Sequence, residues 1–337
     1  MPDAGRRHRV ITREGRGDEV VYRVGGRRVR SRAELERIAA LAVPPAWTQV
    51  EIAVSPTAKV LAKGVDAEGR VQRIYNPSFR RRRERRKFER MPRFGARLAA
   101  LRGQVDRDLS ARKLGRRKLT ALAVQLIDSQ LLRVGNTRSA ERRGSYGVTT
   151  LRAEHVTVSR GGAELDFIGK SGQRQQRIVD DPRVGRLLKR LSENSSGELF
   201  VLPDADGASW RLRSRHINRY LARHLGEEFT AKDFRTWGGT VSVAAALLRA
   251  PTAEMRSPKA RAAVLREAVK AAAARLGNTP AVTRSSYVDP RVLAVVDHPG
   301  VLQEAREAHE RMRGRRYMDK DEQATLWLLE AMDARRR

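Results

Sequence analysis

Five side chains between positions 133 and 287 have types and settings suited to phosphoryl chemistry: Arg133, Lys170, Lys232, Arg235 and Tyr287. Arg133 closes an apolar stretch in Leu131-Leu-Arg-Val-Gly-Asn136. Lys170 falls between two strand-like runs. Lys232 and Arg235 lie three apart in Lys232-Asp-Phe-Arg-Thr-Trp237, so they share a face if that segment is helical. Singly, each reads as a solvated surface base or a packed tyrosine. Together they meet the needs of displacement at a phosphodiester, which requires a nucleophile, neutralisation of the non-bridging oxygens and a proton for the leaving alkoxide. Guanidinium forks can stabilise the transition-state oxygens. Tyrosine can be a covalent nucleophile, but its free pKa of about 10 means that it needs cationic neighbours. Lysine can protonate the leaving oxygen.

Competing chemistries are poorly supported. Gly169-Lys170-Ser171 resembles the end of a phosphate-binding loop, but position 164, where that motif needs glycine, is Glu, and strands flank it on both sides. The six histidines show no metal-binding spacing, and the absence of cysteine excludes disulfides, thiol chemistry and zinc fingers. No cofactor, metal or NTP is therefore expected. A net charge of +31 over 337 residues points to a polyanionic partner. Only 11 of the 70 basic residues are Lys, and Arg is the better fork for phosphate oxygens. A hydrophobic content of 40% suffices for a folded core. No apolar run is long enough to span a bilayer, and no apolar segment follows the charged Met1 to Arg9. A soluble, intracellular protein that does not engage membranes is expected.

The elements that must position these residues follow from periodicity. Glu19 to Val24 and Arg27 to Arg30 read as a hairpin around Gly25-Gly26. Arg32 to Leu41 reads as a short helix and Gln49 to Val54 as a strand. Lys59 to Asp66 and Arg70 to Asn76 read as a second hairpin. The run Arg80 to Arg90 holds eight Lys/Arg in eleven residues and separates this β-rich part, residues 1–85, from a larger, mainly helical part, residues 86–337. There, Ala96 to Leu109, Leu119 to Leu132, Arg213 to Leu225 and Thr240 to Arg249 read as helices. Asp181-Pro182 and Ser257-Pro258 open two more, the second ending before Gly277. His155 to Val179 reads as a three-stranded meander. The predicted fold class is α+β.

The spaced set Arg133-Val-Gly-Asn136, Gly147-Val-Thr-Thr-Leu151, Phe167-Ile-Gly-Lys170, Lys232-Asp-Phe-Arg-Thr-Trp237 and Gly277-Asn-Thr-Pro-Ala-Val…Ser286-Tyr287 resembles the type IB DNA topoisomerases, in their short poxvirus and bacterial form. The likeness runs from about Gly64 to Pro290. It implies a two-domain clamp on duplex DNA, with a β-rich N-terminal domain and a helical catalytic domain. It also implies nicking of one strand through a 3′-phosphotyrosyl intermediate, and resealing without ATP or a required metal. Tyr287 would be the nucleophile. Arg133 and Arg235 would bind the scissile phosphate, Lys170 would be the general acid and Lys232 would assist. Asn278 stands where many members have His, and it can donate a neutral hydrogen bond but carries no charge.

By the same resemblance, Gly69-Arg-Val-Gln-Arg-Ile-Tyr75 matches a strand that enters the major groove. Gln72 could read adenine and Arg73 guanine, with Tyr75 beside them; an exposed strand face is the plainer reading of Gln72 and Tyr75. Arg80, Arg81 and Arg82 would contact phosphate at the hinge of the clamp. The partner is then double-stranded DNA, bound by a monomer in the cytoplasm at the nucleoid. A tyrosine recombinase is the alternative. It usually carries His where Lys232 stands and a helical N-terminal domain, and both features favour the topoisomerase reading.

Overall fold

The strand-like runs of the first part pair as one antiparallel sheet in a computed structural model that describes residues 10–15, 19–195, 197–203 and 209–335. The charged stretch Met1 to Arg9 lies outside the described residues. The chain divides into two compact units, Met1–Lys87 and Phe88–Arg337.

The first unit contains β1 (Val10–Glu14), β2 (Val21–Val24), β3 (Arg27–Arg28), α1 (Arg32–Ala40), β4 (Thr48–Ala53), β5 (Val60–Val65) and β6 (Val71–Tyr75). The strand order is β3-β2-β1-β4-β5-β6. Ser31 caps α1 by accepting the Glu34 N–H. One sheet face is apolar: Ile11, Val50, Ile52 and Ala62 pack against Ile38 of α1. The basic run continues into regular structure, since α2 spans Pro77–Glu89.

The second unit is mainly helical. It begins with α3 (Met91–Leu109), α4 (Arg116–Gln130) and α5 (Thr137–Arg143), followed by β7 (Val156–Ser159), β8 (Gly162–Ile168) and β9 (Arg174–Val179). These three strands form an antiparallel meander in the order β7-β8-β9. Next come α6 (Pro182–Glu193), the hairpin β10 (Val201–Pro203) and β11 (Ser209–Arg211), α7 (Ser214–Leu225), α8 (Ala231–Arg249) and α9 (Pro258–Leu276). The chain closes with α10 (Pro280–Ser286), α11 (Pro290–Ala294), α12 (Pro299–Arg311) and α13 (Lys320–Ala334). The fold class is α+β, as predicted.

The helical periodicity predicted in α4 is realised. Leu119, Leu122, Ala123, Leu126 and Ile127 are all buried in the core. Each such Leu or Ile contributes about 1.5–3 kcal/mol relative to exposure. Asp181 and Ser257 act as N-caps, each accepting backbone N–H groups of the helix it opens. Besides α4, which begins at Arg116 rather than Leu119, two helices start well before their predicted ranges. The first, α3, starts at Met91 rather than Ala96, with Pro92 in its first turn, where a missing N–H costs nothing. The second, α8, starts at Ala231 rather than Thr240, because the Asp233 carboxylate turns back to accept the Thr230 N–H at 2.8 Å. Lys232 and Arg235 therefore do occupy one helix, in its first two turns.

Residues 298–335 pack as closing helices. Their anchor is Glu322 of α13, whose carboxylate accepts Arg102 of α3 at 2.6 and 2.8 Å and the Trp237 indole N–H of α8 at 2.9 Å. Arg102 also holds Asp128 of α4 at 2.6 Å. One partly buried guanidinium thus ties three helices together.

Candidate active site

Arg133 follows α4 directly. Leu131 ends that helix in the left-handed region, at φ 53°. The backbone of the next residues is then fixed by the Gly147-Val-Thr-Thr segment: Val148 N–H donates to Arg133 O at 2.9 Å and Thr149 N–H to Val134 O at 2.7 Å. The glycine-threonine motif therefore positions Arg133.

Tyr287 sits at the C-cap of α10, with its N–H on Thr283 O at 2.9 Å. Its backbone lies against α8. A Cβ at Gly239 would come within 2.6 Å of Tyr287 O, so only glycine permits this approach. At the next residue of α8 the Thr240 hydroxyl accepts the Asp289 N–H at 3.0 Å. The same helix thus carries Arg235 and grips the segment that carries Tyr287.

The two side chains meet. The Arg235 guanidinium carbon lies 5.2 Å from the centre of the Tyr287 ring. Arg235 is buried, and its donors go to the Leu131 carbonyl and, at 2.7 Å, to Leu276 O. Burial, reinforced by repulsion from Arg133, pushes its pKa down to about 10, and it stays charged at neutral pH. Burial resists ionisation of the Tyr287 phenol, but Arg235 first, then Lys232 and Arg133, outweigh it and hold the phenol below the ordinary tyrosine value. Arg133, pushed down mainly by its own burial, donates to Asn278 Oδ1 at 2.6 Å. That bond fixes the orientation of the Asn278 amide and leaves its Nδ2 buried with no hydrogen-bond partner. The Arg235 Nε is buried and unpartnered as well.

Tyr287, Arg235, Arg133, Lys232 and Asn278 are therefore brought together from four separate segments. Lys232 is exposed while Arg235, one turn on, is buried. Lys170 sits at the β8–β9 tip, which Gly169 N–H closes onto Gln173 O at 2.8 Å. It shares with Arg133 the wall of a cavity of about 490 Å³, lined also by Asn136, Arg143 and Tyr146. Its link to the cluster is through Arg133.

The predicted groove-reading residues separate. Side chains alternate along β6, so Gln72 shares the apolar face with Ile74, which packs on the core. Gln72 Nε2 donates to Asp66 Oδ2 at 2.7 Å. Arg73 points to the other face with Tyr75, whose ring stacks on Phe79 at 5.8 Å. On that face the strand registers place Arg28, Arg23, Thr12, Glu51, Lys63 and Arg73 in one row across all six strands. Arg80, Arg81 and Arg82 are exposed on α2.

Sequence reasoning missed Arg177 and Gln175 of β9. Gln175 is buried, and its Oε1 accepts Arg177 Nη2 at 2.7 Å. No local motif marks either residue, and alternation along a short strand is the one signal that sets them on the inner face.

The site is strongly cationic. Arg133, Arg177 and Arg235 hydrogen-bond only to neutral acceptors among the described residues. Buried charges without counter-ions are costly unless a ligand supplies the opposite sign. An anion with several oxygens, beside an activated phenol, is what this arrangement suits.

Residues 76–311 match the family described as eukaryotic DNA topoisomerase I, catalytic core. Residues 22–66 match the N-terminal domain of bacterial DNA topoisomerase IB. The DNA topoisomerase 1B of Acanthamoeba polyphaga mimivirus is 33% identical over 287 residues, covering 82% of this chain and 84% of that protein. The DNA topoisomerase 1 of Schizosaccharomyces pombe is 32% identical over 131 residues, which is 38% of this chain and 15% of that longer protein. The DNA topoisomerase 1 of Mycosarcoma maydis is 24% identical over 183 residues, 49% of this chain and 18% of that protein.

Proposed function

The chain belongs to the type IB DNA topoisomerase family, and from that premise we propose that it relaxes supercoiled duplex DNA through a transient 3′-phosphotyrosyl intermediate, without ATP or a required metal. The carrying observation is the Tyr287 phenol, held below its ordinary pKa by Arg235, Lys232 and Arg133 in a pocket whose arginines bond only neutral acceptors. The Tyr287 oxygen attacks the scissile phosphorus. The Tyr–O–P bond forms, the P–O5′ bond breaks and the phenolic proton passes to water. Arg133 and Arg235 stabilise the non-bridging oxygens as charge builds on them. Lys170 delivers a proton to the departing 5′-oxygen. Asn278 Nδ2, already aimed by the Arg133 bond, adds a neutral donor. The phosphotyrosyl bond conserves the energy of the broken phosphodiester, so the reverse attack by the 5′-hydroxyl reseals the strand with no external energy source.

In the first unit the basic row Arg28, Arg23, Lys63 and Arg73 offers a phosphate-binding face. The exposed Arg80, Arg81 and Arg82 offer another.

The deciding experiment traps the protein–DNA adduct and maps both ends of the new bond. A 3′-phosphate on Tyr287 is expected, together with relaxation of positive and negative supercoils in EDTA without ATP. Tyr287→Phe should bind DNA and form no adduct. An adduct on Tyr317, or a 5′-linkage, would overturn the reading.

A further inference from the structure

Three successive carbonyls at the end of α9 each receive one guanidinium. Arg177 Nη2 donates to Arg275 O at 3.0 Å, Arg235 Nη2 to Leu276 O at 2.7 Å, and Arg133 Nη2 to Gly277 O at 3.4 Å. The last carbonyls of a helix have no partner within it and carry the negative end of its dipole. At this terminus the preceding carbonyls are closed by backbone: Asn278 N–H bonds Ala273 O at 3.0 Å and Gly277 N–H bonds Ala274 O at 3.1 Å. Gly277 itself takes the left-handed conformation, φ 59°, that this closure needs. The next three carbonyls are left to the arginines. Consecutive peptide oxygens lie only a few ångströms apart, so the ledge gathers three guanidinium groups from β9, α8 and the segment after α4.

Arg133 and Arg235 are already assigned to the phosphate. Arg177 has no assigned task, yet it shares their setting. Its remaining bonds go to Gln176 O at 2.8 Å and Gln175 Oε1 at 2.7 Å, both neutral. Its Nε is buried with no partner. No carboxylate offsets its charge among the described residues. A tether to Arg275 O alone would need no charge, and a neutral donor would avoid the repulsion of two neighbouring arginines. A permanent cation in this position fits an anion that arrives later.

We propose that Arg177 is a third guanidinium of the scissile-phosphate site, supplying beside the neutral Asn278 a further positive charge as the phosphoryl oxygens gain negative charge. This rests on the reading under Proposed function.

The test compares single-turnover cleavage of a duplex carrying either a normal scissile phosphate or a methylphosphonate there, which has lost the negative charge. Arg177→Gln is expected to slow cleavage of the normal phosphate by roughly 10²-fold, the scale of one lost transition-state donor. On the neutral methylphosphonate the loss should shrink to a few-fold. Arg177→Lys, which keeps the charge, should retain most of the rate on the normal phosphate. A wild-type rate for Arg177→Gln, or an equal loss on both substrates, overturns the proposal and leaves Arg177 a tether of α9. If Arg177→Gln does not fold, Arg177→Lys decides by the same comparison, and an equal, large loss on both substrates again overturns it. Absence of any wild-type adduct would instead overturn the parent reading, and this inference with it.

Discussion

Arg235 and Tyr287 lie face to face across the site, guanidinium carbon to ring centre 5.2 Å, although 52 positions separate them in the chain. Arg235 is fixed by the Leu131 and Leu276 carbonyls, and Tyr287 by the close approach its backbone makes to Gly239 on the same helix as Arg235. The cation and the phenol therefore need no rearrangement to meet. Three consequences can be measured.

The first concerns ionisation of the phenol. The folded pKa of Tyr287 is depressed, so the phenolate gains population at a lower pH than in an ordinary tyrosine. In the free protein, the difference between the tyrosine titrations of wild type and Tyr287→Phe should have its midpoint below about 10. Lys232→Ala removes one of the cations responsible and should move that midpoint upward. A midpoint at or above the ordinary value would remove the electrostatic activation.

The second concerns the two arginines proposed to bind the scissile phosphate. Arg133→Ala and Arg235→Ala should each slow single-turnover cleavage by roughly 10²–10³-fold while DNA affinity changes much less. They should differ in stability. Arg235 is buried and bonds two carbonyls, which Ala would leave unpartnered, whereas Arg133 is half-buried. Arg235→Ala should therefore melt lower than Arg133→Ala. Near-normal cleavage by either variant would take that residue out of the site.

The third concerns the closing helices. Arg102→Ala would leave the buried carboxylate of Glu322 and the partly buried one of Asp128 without their cation. Breaking such a pair costs about 3–5 kcal/mol, and Tm should fall by the order of 10 °C. Burial resists ionisation of Glu322, but Arg102 outweighs it and holds the carboxyl below its ordinary value. That contribution is complete above the unfolded carboxyl pKa, about 4.3, and is lost as pH falls through the lower folded value. Arg102→Ala should therefore weaken the dependence of Tm on pH in the acid range. An unchanged melt would make the triad ornamental to stability.

Much of this molecule is legible in its sequence. Asp181 and Ser257 announce their helices because an N-cap needs a short polar side chain just before the helical pattern. Alternation marks the meander, and the spaced Arg, Lys, Arg and Tyr motifs mark the site. The start of α8 is less legible, because its cap is made backwards by the Asp233 carboxylate, from within the Lys232-Asp-Phe-Arg235 run. Gln72 and Arg73, adjacent and both suited to base edges, go to opposite faces of β6.

The sequence by itself determined which residue types could act on a phosphodiester, their order along the chain, many of the helices and strands of the fold, and a charge of +31 that points to an anionic partner. These are local properties, set by periodicity, capping and composition. Tertiary structure alone decided that Arg177 joins Arg133 and Arg235. Their meeting depends on which carbonyls at the end of α9 remain without partners after the helix closes, and on three segments distant in sequence that fold to reach them.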